Sequence, residues 1–491
     1  MNKPAMLAML LTPAALFADP SVERVIVRQQ WPWSTDVKVE YSLSGVGAAH
    51  PVDISVRAFN DGVELPSANL NAAITGERYG VTSAVGSFTI DPVAAFGTSQ
   101  VALGRFTVQL SLSESDPKMN DILYKIVDLD PPYTVTDVRR HDFYDGKYGS
   151  FVTNFSDIAT GWTTSLDDVL IWTGVTEDDT YKTSKMVFRR VPAAGKSFQF
   201  LKGITAATNA YYAAGEGIKV SFSKDYYIGV FEVTQSQFMK MAEGIDYSVF
   251  YFTNQLYSAT RPAEKTRCYY YYTSAATAGL RYDGTGYWPT DTSHRKSASN
   301  QTLGLIPSMQ YKTGLLVDMP TETMWEYACR AGTDTFMYSG ASGSPNNAFK
   351  NNVQRANGVN GGSTSNPGRD SDTTHGTMTV GSYKPNAWGL YDMLGNVWEW
   401  CLDASVSAAN MWNEPCYSQS DNLDPVGPTS VSSGKTSLRV KRGGAWNYNS
   451  RPSGSMQHDD GSDGSNQQLN GVNGVRLCIY LDENDEGTFE R

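Results

Sequence analysis

The segment GLYDMLGNVWEWCLD, residues 389–403, contains residue types that bind hard metal ions. Asp392 and Glu399 provide carboxylate oxygens, and Gly395 between them allows a tight turn that would bring the carbonyls of Gly395 and Val397 towards the same point. Ca²⁺ takes its oxygen ligands from carboxylates and backbone carbonyls. We therefore predict a structural calcium cage made of Asp392, Gly395, Val397 and Glu399. The alternative is a core strand in which Asp392 caps a turn and Glu399 forms a salt bridge.

A second segment, residues 446–474, is called the polar tail below, and it consists mostly of Asn, Asp, Ser, Gly, Tyr and His. Apolar sequence flanks it on both sides, in RGGAW and GVRLCIYL. One interpretation is a set of surface turns, because these residues satisfy their own backbone. The other is a ligand-binding face, because Tyr supplies rigid contact area and Ser, Gly and Asn supply adaptable hydrogen bonds. For that face the predicted contact residues are Trp446, Asn447, Tyr448, Asn449, Arg451, His458, Asp460, Asp463 and Asn466.

Composition limits the possible partners and compartments. The net charge is −11 and no Lys/Arg cluster is present, so nucleic acid and anionic membrane surfaces are excluded as expected partners. Residues 1–18 resemble a secretory signal peptide, with one Lys and an apolar stretch, although a buried N-terminal helix is the alternative. No later segment has the roughly 20 apolar residues of a membrane span. We expect a secreted protein, or one of the periplasm or cell envelope.

Period-two alternation after residue 36 predicts β-strands. Val37, Val39, Tyr41 and Leu43 share one face, and similar runs lie at 52–56 and 106–110, which favours an Ig-like β-sandwich at 19–130. Residues 131–182 are predicted to connect it to a domain at 183–482, which is followed by a short C-terminal segment at 483–491. That domain is rich in Gly and aromatic residues, with two predicted helices that start after Thr234 and Thr321. The fold class is therefore α+β.

Five motifs in this region resemble the formylglycine-generating enzyme (sulfatase-modifying factor) family. They are FEVTQSQF, MPTETMWEYACRAG, VGSYKPNAWGLYDMLGNVWEW, RVKRGGAWN and GVRL, in the family's order. The resemblance implies a C-type-lectin-like fold with little regular secondary structure, held by calcium at Asp392, Gly395, Val397 and Glu399. It implies a second calcium site near residues 350–375, for which the sequence indicates no ligands.

The same motifs do not predict the family's oxidase activity for this chain. Active members use two cysteines after the RGG motif to bind copper(I), and thiolates are the ligands that this ion selects. Those positions here are Tyr448 and Ser453, and Ala445 replaces the usual Ser. We therefore expect neither copper nor oxidase activity. The five histidines, of which His50, His141 and His294 are three, show no iron-binding H-x-x-x-H-x-E pattern either.

Three functions remain open at this point. The composition of the polar tail matches what AAY codons become when their adenines change, and this resembles retroelement-diversified proteins of the same fold. The first hypothesis is thus a non-catalytic binding protein with a variable face, for a protein or glycan ligand. The second is a divergent sulfatase-activating oxidase. The third is a structural component of the cell envelope.

Overall fold

A computed structural model shows an α+β protein that consists mostly of strands and has few helices. It describes residues 19–155, 169–200, 217–242, 258–264, 304–334, 338, 354–355, 376–404, 422–425, 438–446, 458–462 and 473–481. The predicted signal peptide and the C-terminal residues 483–491 lie outside these ranges. The chain divides into two compact units, one of residues 1–121 with 139–148, and one of residues 122–138 with 149–491.

Two sheets form the N-terminal unit. The first has the order β1-β2-β6-β5 and the second the order β4-β3-β7. The strands are β1 (Ser21–Gln29), β2 (Val37–Ser44), β3 (Val52–Asn60), β4 (Val63–Glu64), β5 (Ile74–Thr75), β6 (Val85–Ile90) and β7 (Phe106–Glu114), and the helices are α1 (Ser67–Ala72), α2 (Pro92–Phe96) and α3 (Arg140–Tyr144).

The alternation seen in the sequence explains this core. Val37, Val39, Tyr41 and Leu43 are buried on β2, while the residues between them are half-buried. They join the inward residues of β3 in one hydrophobic core shared by both sheets. The predicted strands at 37–43, 52–56 and 106–110 are therefore confirmed as β2, β3 and β7, whereas the Ig-like character of the sandwich stays a prediction.

The C-terminal unit contains the remaining elements. Its strands are β8 (Ile122–Asp128), β9 (Val135–Arg139), β10 (Phe151–Val152), β11 (Ile171–Trp172), β12 (Lys185–Val191), β13 (Ser197–Phe200), β14 (Ile218–Ser221), β15 (Tyr226–Gly229), β16 (Val317–Asp318), β17 (Gln354–Arg355), β18 (Leu394–Gly395), β19 (Trp398–Ala404), β20 (Asn422–Leu423), β21 (Leu438–Arg442), β22 (His458–Ser462), β23 (Asn473–Gly474) and β24 (Cys478–Tyr480). Its helices are α4 (Thr180–Thr183), α5 (Gln235–Met241), α6 (Leu305–Thr313) and α7 (Glu322–Arg330).

A six-stranded sheet, β16-β24-β15-β12-β8-β9, runs through this unit with a hydrophobic core on each face. On β15, Tyr226 and Ile228 point into one core and Tyr227 points into the other. Successive side chains of a strand point to opposite faces, so a strand buried on both faces is apolar throughout. A smaller sheet, β22-β21-β19-β23, positions the candidate site.

Helix α5 begins where the sequence predicts. Thr234 Oγ1 accepts a hydrogen bond from Gln237 N at 3.2 Å, and the Gln237 side chain accepts one from Thr234 N at 3.0 Å. This reciprocal cap satisfies two of the N–H groups that a helix N-terminus leaves without partners. Thr321 caps α7 in the same position by accepting from Met324 N. Helix α6 was not predicted.

The boundary between the units differs from the predicted one. Strands β8 and β9 lie in the large sheet of the C-terminal unit, while helix α3 returns to the N-terminal unit. The predicted connecting region 131–182 is thus divided between the two units. Within the described part of the chain, no helix is long and apolar enough to span a membrane.

Candidate functional site

The candidate site is built around β19, the strand that follows the GN turn. Asn396 adopts a positive φ of 62° and Gly395 one of 87°, so the chain reverses tightly before β19 begins. Antiparallel β21 pairs with β19 on one side, with Glu399 opposite Arg442. Parallel β23 pairs on the other side, with Glu399 opposite Gly474. The strand that precedes the polar tail and the strand that ends it therefore both pair with β19 at Glu399.

Glu399 is fully buried and forms an ion pair with Arg476, which is also fully buried. Arg476 Nη2 donates to Glu399 Oε1 at 2.7 Å, and Arg476 Nε donates to both carboxylate oxygens. Trp325 Nε1 donates to Glu399 Oε2 at 2.6 Å. The remaining guanidinium N–H groups reach the carbonyls of Gly229, Val230 and Tyr391. The salt-bridge interpretation of Glu399 is thus correct for this residue.

Asp392 and Glu232 place two more buried carboxyl groups in the same cluster. Burial raises the pKa of Asp392 to about 6, although a hydrogen bond from Gly381 N and the charge of Arg476 oppose this rise. Burial, followed by the charges of Asp392 and Glu399, raises the pKa of Glu232 well above its usual range. Glu232 accepts hydrogen bonds from the Asn396 amide and from Val397 N. One guanidinium therefore faces three carboxyl groups.

The four residues predicted as calcium ligands are all buried. Asp392 Oδ2 accepts from Gly381 N, while Asp392 Oδ1 has no hydrogen-bond partner. Gly395 N donates to Gly443 O at 2.7 Å, which ties the turn to the RGG motif. Among the described residues, no three or more His, Cys, Asp or Glu side chains converge as a metal site. The predicted calcium cage is not a cluster of that kind, since its ligands are two carboxylates and two backbone carbonyls.

A second buried ion cluster holds Arg442, at the end of the strand that precedes the polar tail. Arg442 Nη2 lies 2.7 Å from Glu322 Oε1 and 2.9 Å from Glu326 Oε2, both on α7. Arg330 also pairs with Glu326, at 2.7 Å. Sequence reasoning did not identify these partners or Glu232. The spacing of Glu322, Glu326 and Arg330 on one helix face was the available signal.

The predicted contact residues have mixed outcomes. Trp446 is only 2% exposed and packs against Trp398 and Ala445, and its backbone N–H donates to Asn396 O. A side chain in this position belongs to the core, so the prediction of Trp446 as a contact residue needs correction. His458 and Asp460 lie on strand β22, opposite Arg442 and Val440 of β21. The other six residues, Asn447, Tyr448, Asn449, Arg451, Asp463 and Asn466, lie outside the described residues.

The described cysteines of this unit are buried and form no disulfide: Cys329, Cys401 and Cys478. Burial raises the pKa of the Cys401 thiol well above its usual value, and it does the same for Cys478.

Comparisons with known proteins agree with the motifs. Residues 199–479 match the family model described as sulfatase-modifying factor enzyme 1-like domain. The formylglycine-generating enzyme of Mus musculus is 35% identical over 129 residues, which are 26% of this chain and 30% of that protein. The enzyme of Streptomyces coelicolor is 35% identical over 130 residues, 26% of this chain and 35% of that protein. The chain thus matches about a third of the length of these relatives.

A Bos taurus relative, the inactive C-alpha-formylglycine-generating enzyme 2, is 36% identical over 84 residues, 17% of this chain and 25% of that protein. Among solved structures, Treponema denticola variable protein 1 is 22% identical, covers 60% of this chain and 95% of its own, and has a TM-score of 0.38. PvdO from Pseudomonas aeruginosa is 19% identical, with 60% and 93% covered and a TM-score of 0.35. The family model covers more than half of the 491 residues, and the chain therefore belongs to the sulfatase-modifying factor (formylglycine-generating enzyme-like) family.

Proposed function

We propose that this chain is a secreted, non-catalytic ligand-binding protein that displays the polar tail as a variable surface on a fixed framework. The observation that carries the proposal is that β19 pairs with the strand before the tail, at Arg442 of β21, and with the strand that ends it, at Gly474 of β23. A segment whose two ends are held close together loses less conformational entropy when it binds a ligand. Binding residues commonly lie on such loops above a rigid scaffold.

Buried charges support the separation of framework from tail. Arg442 is held by Glu322 and Glu326, and Arg476 is held by Glu399. These partners lie on α7 and β19, outside the tail. Substitutions within the tail would therefore keep both partners of each of these ion pairs, which is what a surface of changing sequence requires.

Calcium at Asp392 is part of the proposal. Asp392 Oδ1 is buried without a hydrogen-bond partner, and three carboxyl groups face one guanidinium, so a cation would offset uncompensated negative charge. Asp392, Glu399 and the carbonyls of Gly395 and Val397 would hold the ion, which would stiffen the turn before β19. Glu399 would have to share oxygens that already accept from Arg476 and Trp325.

Sequence variation tests the proposal directly. The 3′ end of the gene would be sequenced from many clones of the source population, and binding of the resulting variants to their ligands compared. Variation confined to codons 447–473, with RGGAW and GVRL unchanged, is the expected result. Invariant codons in that range would refute a diversified surface, and a glycan array would then identify whether the fixed surface binds sugars.

A second candidate function is a sulfatase-activating oxidase, favoured by the match to proteins named formylglycine-generating enzyme. Copper(I) and a cysteine-containing sulfatase peptide would be incubated with the full chain. We expect no conversion of the peptide cysteine, because Tyr448 and Ser453 cannot form the thiolate pair. Conversion that persists after substitution of all five cysteines would establish a different active site.

A further inference from the structure

Two indole side chains project from the N-terminal unit at the turn between β1 and β2. Trp33 is 90% exposed and Trp31 is 68% exposed, and Pro32 between them is exposed as well. Trp is normally highly buried because it carries a large apolar surface. A pair of indoles held in water on one turn is therefore a signal of a binding surface.

Hydrogen bonds hold this turn in a defined shape. Gln30 O accepts from Trp33 N at 3.0 Å and from Ser34 N at 3.2 Å, and Gln30 N donates to Asp36 O at 3.2 Å. Asp36 N also donates to Ser34 Oγ at 3.0 Å. The backbone that carries both rings is thus ordered before any ligand arrives, which lowers the entropic cost of binding.

The charges near the turn are balanced. Arg28 pairs with Glu40 at 2.9 Å and Lys38 pairs with the same carboxylate at 3.0 Å, while Asp36 contributes one further negative charge. This arrangement has no excess positive charge to attract phosphate groups, so neither nucleic acid nor an anionic bilayer fits it. The ligand should be uncharged.

The surface area that the two indoles can bury is too small for a protein partner. Each Trp can bury about 150–250 Å², so the two rings cover at most about 500 Å², whereas a stable protein interface buries about 800 Å² on each side. A saccharide ring matches the turn better. Its C–H groups can pack on the electron-rich indole face, and its hydroxyls can bond with the polar side chains that the same turn carries, Gln30, Ser34 and Thr35.

We propose that Trp31 and Trp33 form a binding site for a neutral polysaccharide, separate from the polar tail. The site would attach the chain to a glycan surface through its N-terminal unit. It does not depend on the function proposed for the C-terminal unit.

To test this site, the full chain would be mixed with insoluble cellulose, chitin, mannan or starch, and the fraction of protein removed from solution would be measured. Wild type should bind at least one of the four, and Trp33→Ala should lower the affinity at least about tenfold, which corresponds to 1.4 kcal/mol. Trp31→Ala should act in the same direction, and Trp33→Tyr should keep most of the affinity because it retains an aromatic face. Val63→Ala is the matched control, since Val63 is 71% exposed on β4 of the same unit.

The variants should melt at the wild-type temperature because both indoles are exposed. If Tyr448→Ala weakens polysaccharide binding and Trp33→Ala does not, the glycan binds the polar tail and the proposal is refuted. Failure of wild type to bind all four polysaccharides would also refute it. The full chain would also be sedimented with phosphatidylcholine vesicles. If wild type binds the vesicles but no polysaccharide, and the Trp31→Ala/Trp33→Ala variant does not bind them, the turn is a membrane contact instead.

Discussion

Replacement of Arg476 by Met should strongly destabilise the C-terminal unit. The Arg476 guanidinium is fully buried and pairs with Glu399, and it donates to the carbonyls of Gly229, Val230 and Tyr391. Met would fill part of the volume but would supply no donor. Glu399 would keep only its hydrogen bond from Trp325 and would become a buried charge without a counterion.

The expected loss is large on the scale of domain stability. Removal of one partner from a buried ion pair costs about 3–5 kcal/mol. A carbonyl that loses its donor adds about 1–3 kcal/mol before the structure relaxes, although the Val230 carbonyl still accepts from Tyr391 N. A domain is stable by about 5–15 kcal/mol. We therefore expect Arg476→Met to lower the free energy of unfolding by at least about 4 kcal/mol, which brings the unit near its unfolding threshold.

A double-mutant cycle would separate the ion pair from the other contacts. Urea unfolding, followed by Trp fluorescence, would be measured for wild type, Arg476→Met, Glu399→Gln and the double variant. Glu399→Gln keeps an acceptor for Trp325 and removes the charge. The double variant should lose less than the sum of the single losses, by about 2 kcal/mol or more. A coupling energy below about 0.5 kcal/mol, or a loss below about 1 kcal/mol for Arg476→Met, would refute this account.

The same variants show which role Glu399 has. If Glu399 is a calcium ligand as well as the partner of Arg476, Glu399→Gln will abolish the effect of a chelator on the melting temperature. If its only role is the ion pair, the chelator effect will persist in Glu399→Gln and disappear only in Asp392→Asn.

Three further predictions concern other parts of the chain. Chelation should lower the stability of wild type but not of Asp392→Asn, since a ligand at 100 times its Kd adds about 2.7 kcal/mol; identical melting curves with and without chelator would exclude the cage. Tyr448→Ala should weaken ligand binding without a change in melting temperature, whereas a fall of about ten degrees, the effect of a loss above 1 kcal/mol, would make Tyr448 a core residue. Burial raises the pKa of Asp145, but the nearby His141, the charge of Arg78 and hydrogen bonds from Tyr79 and Arg78 outweigh it, so the pKa lies below the usual 3.8. The stability that Asp145 contributes is present above that usual value and is lost as the pH falls through its lower folded pKa. The difference in urea midpoint between wild type and Asp145→Asn should therefore shrink at acidic pH, and a difference that grows on acidification would contradict this sign.

Local patterns predicted the elements that a few neighbouring residues determine. The alternation at Val37–Leu43 predicted β2 because side chains two apart share one face of a strand. Thr234 and Thr321 marked the first turns of α5 and α7 because a cap involves only the next three residues. Helix α6 escaped notice since Leu305, Ile306, Ser308 and Met309 are all buried. Only Tyr311 and Lys312, near its end, reach solvent, so the helix has little amphipathic period to detect.

The sequence by itself determined the family, through five ordered motifs, and the residue types at the site. Only the tertiary structure decided which of them meet. Arg476 lies 77 positions after Glu399 and Glu232 lies 165 positions before Val397, so no local pattern could connect them. Trp446 looked like a contact residue beside polar sequence, yet it is buried because Trp398 and Ala445 close over it. Burial and ion pairing depend on contacts between distant segments, and these exist only once the sheet around β19 has formed.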